Sequence, residues 1–319
     1  MKKITLKKIK KILSLPLNDL IFKAQTVHKK SFPKLDIQLA SLLSIKTGSC
    51  PEDCKYCPQS AHYNVDLKKE KLINIDLVKK AAMKAKENGA ERFCMGAAWK
   101  KLKDGEDLET VIKMIKEVKS LNLEACVTLG TITKKQADIL KEAGLDAYNH
   151  NIDTSPEFYK EIITTRKFEE RLETISNVQK AGISVCSGGI IGMGESWHDR
   201  ARMIEVLANL QPQPESIPIN SLVPVEGTPL EGRKKVNSLE MVRIIASTRI
   251  ILPKSRIRLS AGRKELSKEA QLLCFIVGAN SIFYGDTLLT TDNNDMKSDK
   301  ELISQYNNPE QNIINSIDL

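Results

Sequence analysis

Residues 91–129, ERFCMGAAWKKLKDGEDLETVIKMIKEVKSLNLEACVTL, hold one complete unit of the fold. RFCMG (92–96) and LEACVTL (123–129) are apolar runs of strand length. Between them Leu108, Val111, Ile112, Ile115 and Val118 recur at helical spacing, so residues 107–120 read as an amphipathic helix with one apolar stripe. Two strands joined through a helix pair in parallel by a right-handed crossover. Strands covered on both faces by such helices carry few polar residues, which makes the exceptions here, Cys94 and Cys126, informative.

The unit recurs along the chain. LLSIK (42–46), LDAYNH (145–150), ISVCS (183–187), SIPIN (216–220), RIRLS (256–260) and SIFYG (281–285) are further strand candidates, and residues 76–88, 133–143, 168–181, 197–210, 238–252 and 266–277 are further helix candidates. Gly89, Gly144 and Gly182 each follow a helical run, where a left-handed residue ends a helix. Asp76, Asp107, Thr133 and Ser238 stand where caps or first-turn residues belong. Eight strands alternating with helices predict an α/β fold, a (β/α)8 TIM-type barrel over residues 41–290. Residues 1–40 are then an N-terminal helical extension, and residues 291–319 a polar, loosely ordered C-terminal tail with room for one helix. A doubly wound open sheet would carry a glycine-rich phosphate turn after its first strand; here cysteines follow instead.

That loop is GSCPEDCKYCPQS (48–60). Pro51 and Pro58 disfavour a regular helix, and Cys50, Cys54 and Cys57 lie too close together for all three to form disulfides. The spacing predicts a metal site. An iron–sulfur cube held by three thiolates keeps one iron open; zinc on the same three cysteines plus His62 is the other possibility the spacing admits. Cys94, Cys126, Cys186 and Arg258 lie on strand candidates, while Asn149, Asn151, Asp153 and Asn220 lie at or beyond strand ends, where barrels build their active sites. One cysteine on an apolar strand is ordinarily a small core residue, as Cys274 is expected to be in QLLCFIVG. Three converging inside one barrel, beside an arginine that needs a partner, point to chemistry. Gly188, Gly189, Gly192 and Gly194 form a strand-to-helix loop that would let a ligand approach the backbone closely. His28, His150 and His198 show no triad-like pattern.

Composition narrows the class. The chain has 319 residues, 41% of them hydrophobic, and a net charge of +9. The lysines are dispersed, and KKITLKKIKK (2–11) has no interleaved aromatics, so a solvated surface is expected rather than a nucleic-acid partner. No apolar run approaches the ~20 residues of a membrane span, and lysines interrupt the N-terminal apolar residues, leaving no signal core. A cytoplasmic enzyme is expected, with its seven cysteines reduced or metal-bound.

CPEDCKYCPQS resembles the CxxxCxxC loop of the radical S-adenosylmethionine superfamily. Together with SIKTGS before it, RFCMGAAW, YNHNIDTSPEFY, VCSGGIIGMGE, PINSLVPVEGTPL and RLSAGR, it resembles the biotin synthase family from about residue 15 to about residue 291. The resemblance implies a 4Fe–4S cluster on Cys50, Cys54 and Cys57 whose open iron takes S-adenosylmethionine. It implies a second, 2Fe–2S cluster on Cys94, Cys126, Cys186 and Arg258 that supplies sulfur. By the same resemblance Tyr56, Gly188 and Gly189 border S-adenosylmethionine, Asp153 binds its ribose hydroxyls, and Asn151 lies between cofactor and substrate. Arg92, Asn151, Asn220 and Thr290 would contact dethiobiotin, which becomes biotin. A homodimer, a flavodoxin or ferredoxin as electron donor, and iron–sulfur assembly proteins are implied as well. A lipoyl synthase-like enzyme would carry a further cysteine triplet near its start, and residues 1–49 contain no cysteine. A non-enzymatic iron–sulfur or zinc module would leave the polar strand ends unexplained.

Overall fold

In the computed structural model, which describes residues 3–34 and 36–307, the strands are β1 (Gln38–Lys46), β2 (Arg92–Ala97), β3 (Glu124–Thr128), β4 (Ala147–Asn149), β5 (Ser184–Cys186), β6 (Gly189–Ile191), β7 (Ser216–Ser221), β8 (Arg256–Leu259) and β9 (Ser281–Phe283). All pair in parallel, in the order β5-β4-β3-β2-β1-β9-β8-β7-β6, and a β5–β7 contact closes the ring. β5 and β6 are two pieces of one stave, interrupted at Ser187–Gly188. The wall is therefore the eight-stave barrel that the repeated unit predicts. The interruption is the part periodicity missed, because glycines supply no apolar signal.

Helices α3 (Ile75–Glu87), α4 (Glu106–Ser120), α5 (Lys134–Glu142), α7 (Phe168–Lys180), α8 (Trp197–Asn209), α9 (Ser238–Ile251) and α10 (Lys268–Ile276) lie where expected, and a short α6 (Pro156–Ile162) precedes α7. Thr133 caps α5 through a reciprocal capping box with Gln136. Asp76 and Asp107 sit two residues, and Ser238 one residue, inside the caps Asn74, Gly105 and Asn237, all in the first turns. Gly89, Gly144 and Gly182 all have positive φ, as helix-ending residues do.

The ends of the chain are tied to the barrel. α1 (Leu6–Leu13) and α2 (Leu17–Ser31) precede β1, which starts at Gln38, inside the stretch read as the extension. Within the lysine-rich start, Ile9 and Leu13 are buried, the Leu6 amide donates to Glu205 at 2.8 Å, and Arg243 donates to the Leu13 and Leu15 carbonyls. At the other end α11 (Met296–Asn307) is held, not loose: Asp299 is fully buried against Arg263, and Tyr306 meets Phe275 edge-on. Residues 308–319 of the expected tail lie outside the described residues. The main apolar core fills the space between wall and helices. Inside the barrel a separate small cluster forms from Ala40, Cys94, Cys126 and Ala147, with Leu42 and Phe283 beside it. Among the described residues no helix is long and apolar enough to cross a membrane.

Candidate active site

One cavity of about 350 Å³ opens at the C-terminal ends of the strands, within the range of small-molecule sites. Cys50, Cys54, Tyr56, Cys57, Cys94, Cys126, Asn151, Asp153, Asn220, Arg258 and Thr290 all line it. Residues scattered over 240 positions of sequence thus meet in one space, with the cysteine loop at the rim and the strand-borne cysteines below.

The rim loop is fixed by its own backbone. The Cys50 amide donates to the Gln59 carbonyl at 2.9 Å, Ala61 to Cys50 at 2.7 Å, and Cys57 to Cys54 at 2.9 Å. Ser49, immediately before the first thiol, has φ 54°, a conformation few non-glycine residues adopt. A second segment grips the loop from outside. Asp53 accepts from the Thr164 and Thr165 amides at 2.9 and 3.1 Å, and from both hydroxyls. Glu52, 4% exposed, takes Thr165 Oγ1 at 2.8 Å, Lys100 at 3.2 Å and Arg166 at 3.4 Å. These clamp residues were not singled out from sequence. Their signal was the TTR run at 164–166, which pairs with the acids of CPEDC only once the chain has folded.

Burial raises the thiol pKa of Cys50, pushes that of Cys57 up to about 12, and carries that of Cys54 well above its ordinary value. All seven cysteines are free of disulfides. Among the described residues no three His, Cys, Asp or Glu side chains converge closely enough to grip a single ion. His62 does not join the thiols, since its Nε2 meets the Pro51 carbonyl at 3.1 Å. The single-zinc site that the spacing left open is therefore not formed. Cys50, Cys54 and Cys57 all line the cavity free of disulfides, the thiolate donor set of an iron–sulfur cluster.

Asp153 follows β4 with φ 64°, strained geometry for a side chain with a Cβ. Its carboxylate meets Arg171 at 2.5 Å and the Tyr56 hydroxyl. Burial raises its pKa, and Arg171 followed by the Tyr56 hydrogen bond opposes that rise. The Asn151 Oδ1 accepts from the Gly188 amide at 3.1 Å. Asn220 donates to the Gly189 carbonyl at 3.0 Å and accepts from the Ala261 amide at 3.2 Å. His150, also a lining residue, is 3% exposed and has an unpartnered Nε2; burial, then Arg171 and Arg166, hold it neutral.

Below the rim, Cys94 and Cys126 are direct neighbours across β2 and β3. The hydrogen bond between them lowers the Cys94 pKa; burial opposes this, and Arg258 and Arg92 add to it. Arg258 is 1% exposed, donates to Ser281 Oγ at 3.0 Å, and lies 4.6 Å over the Phe283 ring. Cys186 stands just behind the lining, where its Sγ accepts from Asn149 Nδ2 at 3.2 Å. Cys94, Cys126 and Arg258, from three strands, face one volume, and Cys186 on a fourth adjoins it, the donor set a second buried cluster would need.

Three expected contacts fall elsewhere. Arg92 opens β2 at the opposite end of the barrel and pairs with Glu124 and Glu215, so it does not reach the cavity. Gly188 and Gly189 are not among the lining residues, and protein packs against both on the side a Cβ would occupy. A Cβ at Gly188 would overlap the Pro218 carbonyl, and one at Gly189 would overlap Met203 and lie 2.6 Å from the Asp153 carbonyl.

Two family models match the chain: the Radical SAM superfamily over residues 44–207, and the Biotin and Thiamin Synthesis associated domain over residues 218–308. The biotin synthase of Methylorubrum populi is 57% identical over 306 residues, covering 96% of this chain and 90% of that protein. The biotin synthase of Synechococcus elongatus is 56% identical over 300 residues, covering 94% of each. Among solved structures, methylornithine synthase (PylB) superposes with a TM-score of 0.81 at 19% identity, over 99% of this chain and 97% of its own. The hydrogenase maturase HydG gives 0.76 at 17% identity, over 89% and 65%. At such identities these structures speak for the fold alone.

Proposed function

From the premise that the chain belongs to the biotin synthase family of radical S-adenosylmethionine enzymes, we propose a division of labour within its single cavity: a radical is made at the rim and sulfur is given from below. The enzyme inserts sulfur into dethiobiotin to make biotin. What supports the division is that the rim thiols Cys50, Cys54 and Cys57 and the interior set Cys94, Cys126 and Arg258 line the same cavity, with Cys186 adjoining.

Neither carbon that gains sulfur carries an acidic proton, so acid–base catalysis cannot begin the reaction. When bound, a 4Fe–4S cluster at the rim would provide reductive cleavage of S-adenosylmethionine, and a 2Fe–2S cluster below it would provide sulfide. The rim thiolates would hold the first and Cys94, Cys126, Cys186 and Arg258 the second. Everything else the protein does is aim and exclusion. Asp153, strained and buried, presents a carboxylate suited to a ribose diol, and Tyr56 and Arg171 fix its direction. Asn151 is anchored through its Oδ1 by the Gly188 amide, which leaves its Nδ2 group for a polar substrate head, and Asn220 is held at both amide atoms by the Gly189 carbonyl and the Ala261 amide, so each keeps a fixed position. Leu288, Leu289 and Thr290 line the cavity, and Leu289 packs against Gly96. Apolar lining there keeps water and oxygen from a carbon radical. The reading also takes in a cytoplasmic homodimer, with a flavodoxin or ferredoxin as reductant and iron–sulfur assembly proteins to load it.

The test is anaerobic reconstitution followed by iron and acid-labile sulfide per chain, then chromatography of products after reduction with S-adenosylmethionine and dethiobiotin. Equal folding with no bound iron, or cluster-loaded protein that releases no 5′-deoxyadenosine, overturns the reading.

A further inference from the structure

The floor of the barrel, at the N-terminal strand ends, is polar. Barrel layers are ordinarily filled by Val, Ile and Leu, yet this floor holds Gln38, Arg92, Glu124, Ser216 and Ser281, each the first residue of its strand. Arg92, 3% exposed, is clamped by Glu124 at 2.8 Å and Glu215 at 3.0 Å, whose side chains are 47% and 35% exposed. Cys94 lies two residues along from Arg92, and Cys126 two from Glu124, on the same strand faces. That is a rise of roughly 6.6 Å. One layer of side chains thus separates these thiols from water at the floor.

The interior behind that layer favours an anion. Among the described residues Arg258 has only neutral partners, Ser281 Oγ at 3.0 Å and Gln38 Oε1 at 3.4 Å. Ser216, next in the chain to Glu215 and opposite Cys186 in register, is fully buried with an unpartnered hydroxyl. We propose that the floor is an entry port for a small inorganic anion, hydrosulfide, with the Glu124–Arg92–Glu215 clamp as its gate. The proposal rests on the reading of Cys94, Cys126, Cys186 and Arg258 as the holders of a cluster that gives up sulfur. Arg92 is buried and cannot be left unpaired cheaply, so the half-exposed carboxylates are the part that moves, swinging into water as an anion takes their place on Arg92. From Arg92 the anion passes inward to the Ser216 hydroxyl and the Arg258 guanidinium. Such a route reaches the sulfur-donating site while cofactor and substrate fill the cavity at the other end.

Two measurements decide it. In the first, metal-free protein is treated with iodoacetate, an anionic thiol reagent, and alkylation of each cysteine peptide is followed by mass spectrometry. Glu124→Gln combined with Glu215→Gln is expected to speed alkylation of Cys94 and Cys126 severalfold, while Cys50 and Cys57 keep their rates and Cys274, buried in α10, stays unreacted. Unchanged rates at Cys94 and Cys126 overturn the port. If Cys274 also reacts in the variant, the fold has opened generally and the second measurement decides. There, reconstituted wild-type protein receives isotopically labelled hydrosulfide with and without S-adenosylmethionine and dethiobiotin in the cavity, and label in its acid-labile sulfide is counted. Equal uptake supports the floor route. Uptake abolished by the two ligands puts the entrance at the cavity mouth and overturns it. Protein that assembles no second cluster overturns instead the ligand reading beneath the proposal, a distinguishable failure.

Discussion

The two cysteine groups are built on opposite principles. The rim set sits within eight consecutive residues, closed by its own backbone bonds and gripped through Asp53 and Glu52 by the 164–166 segment. The interior set comes from β2, β3, β5 and β8, with an arginine that lacks a carboxylate partner among the described residues and two orphaned hydroxyls, Ser187 next to Cys186 in the chain and Ser216 opposite it in register. The rim loop is closed by its own backbone hydrogen bonds. The interior carries unpaired polar groups, the mark of a site that gives up stability for function.

Single-cysteine variants test the contrast most strongly. Cys54→Ala is expected to abolish cleavage of S-adenosylmethionine, so that chromatography finds neither 5′-deoxyadenosine nor biotin. Cys126→Ala is expected to leave 5′-deoxyadenosine formation in place and stop biotin formation. If both variants lost both products, the two groups would be one functional unit and the contrast would be false.

Stability should move in opposite directions at the two sites. Asp53→Ala removes charge-assisted bonds from two amides and two hydroxyls, and should lower the stability of the metal-free protein by about 1–2 kcal/mol. Arg258→Met removes a buried charge while keeping apolar bulk over Phe283, and should leave the metal-free fold equal or more stable by about 1–2 kcal/mol while emptying the interior of iron. Denaturant melts of both variants check this. A strongly destabilised Arg258→Met would mean that the arginine is structural.

This contrast also governs how much the sequence revealed. The rim was legible because its geometry is local: three thiols and two prolines in one loop speak for themselves. The interior was legible only through the strands, since a cysteine inside an apolar run is a core residue until eight runs close into a ring. Arg92 was misjudged because composition does not say which end of a strand a residue occupies; counting from its Glu91 neighbour, ahead of RFCMG, would have put it at the floor. The glycines at 188 and 189 predict a close approach to the backbone, and the structure supplies one on the Cβ side from Pro218, Met203 and the Asp153 carbonyl. Close approach requires glycine in either case, and sequence cannot say what approaches. The clamp of Glu52 and Asp53 with Thr164, Thr165 and Arg166 was missed because its halves lie 111 or more positions apart.

The smallest expected effect is the response to acid. Burial raises the Asp53 pKa, but the hydrogen bonds from Thr164 and Thr165 outweigh it and bring the carboxyl to about 2, against about 3.9 in an unfolded chain. A carboxylate depressed by folding contributes stability that is fully present above its unfolded value and is lost as pH falls through the folded one. The clamp should hold at pH 5 and let go between about pH 4 and about pH 2. Because Asp53 is largely reached by water, the change should stay under about 1 kcal/mol. Asp53→Asn should flatten that acid limb, measured as the pH dependence of proteolytic cutting within residues 48–60 of the metal-free protein. Identical acid limbs in wild type and Asp53→Asn would show that the rim is ordered by its own turns alone, and that the 164–166 segment only lies against it.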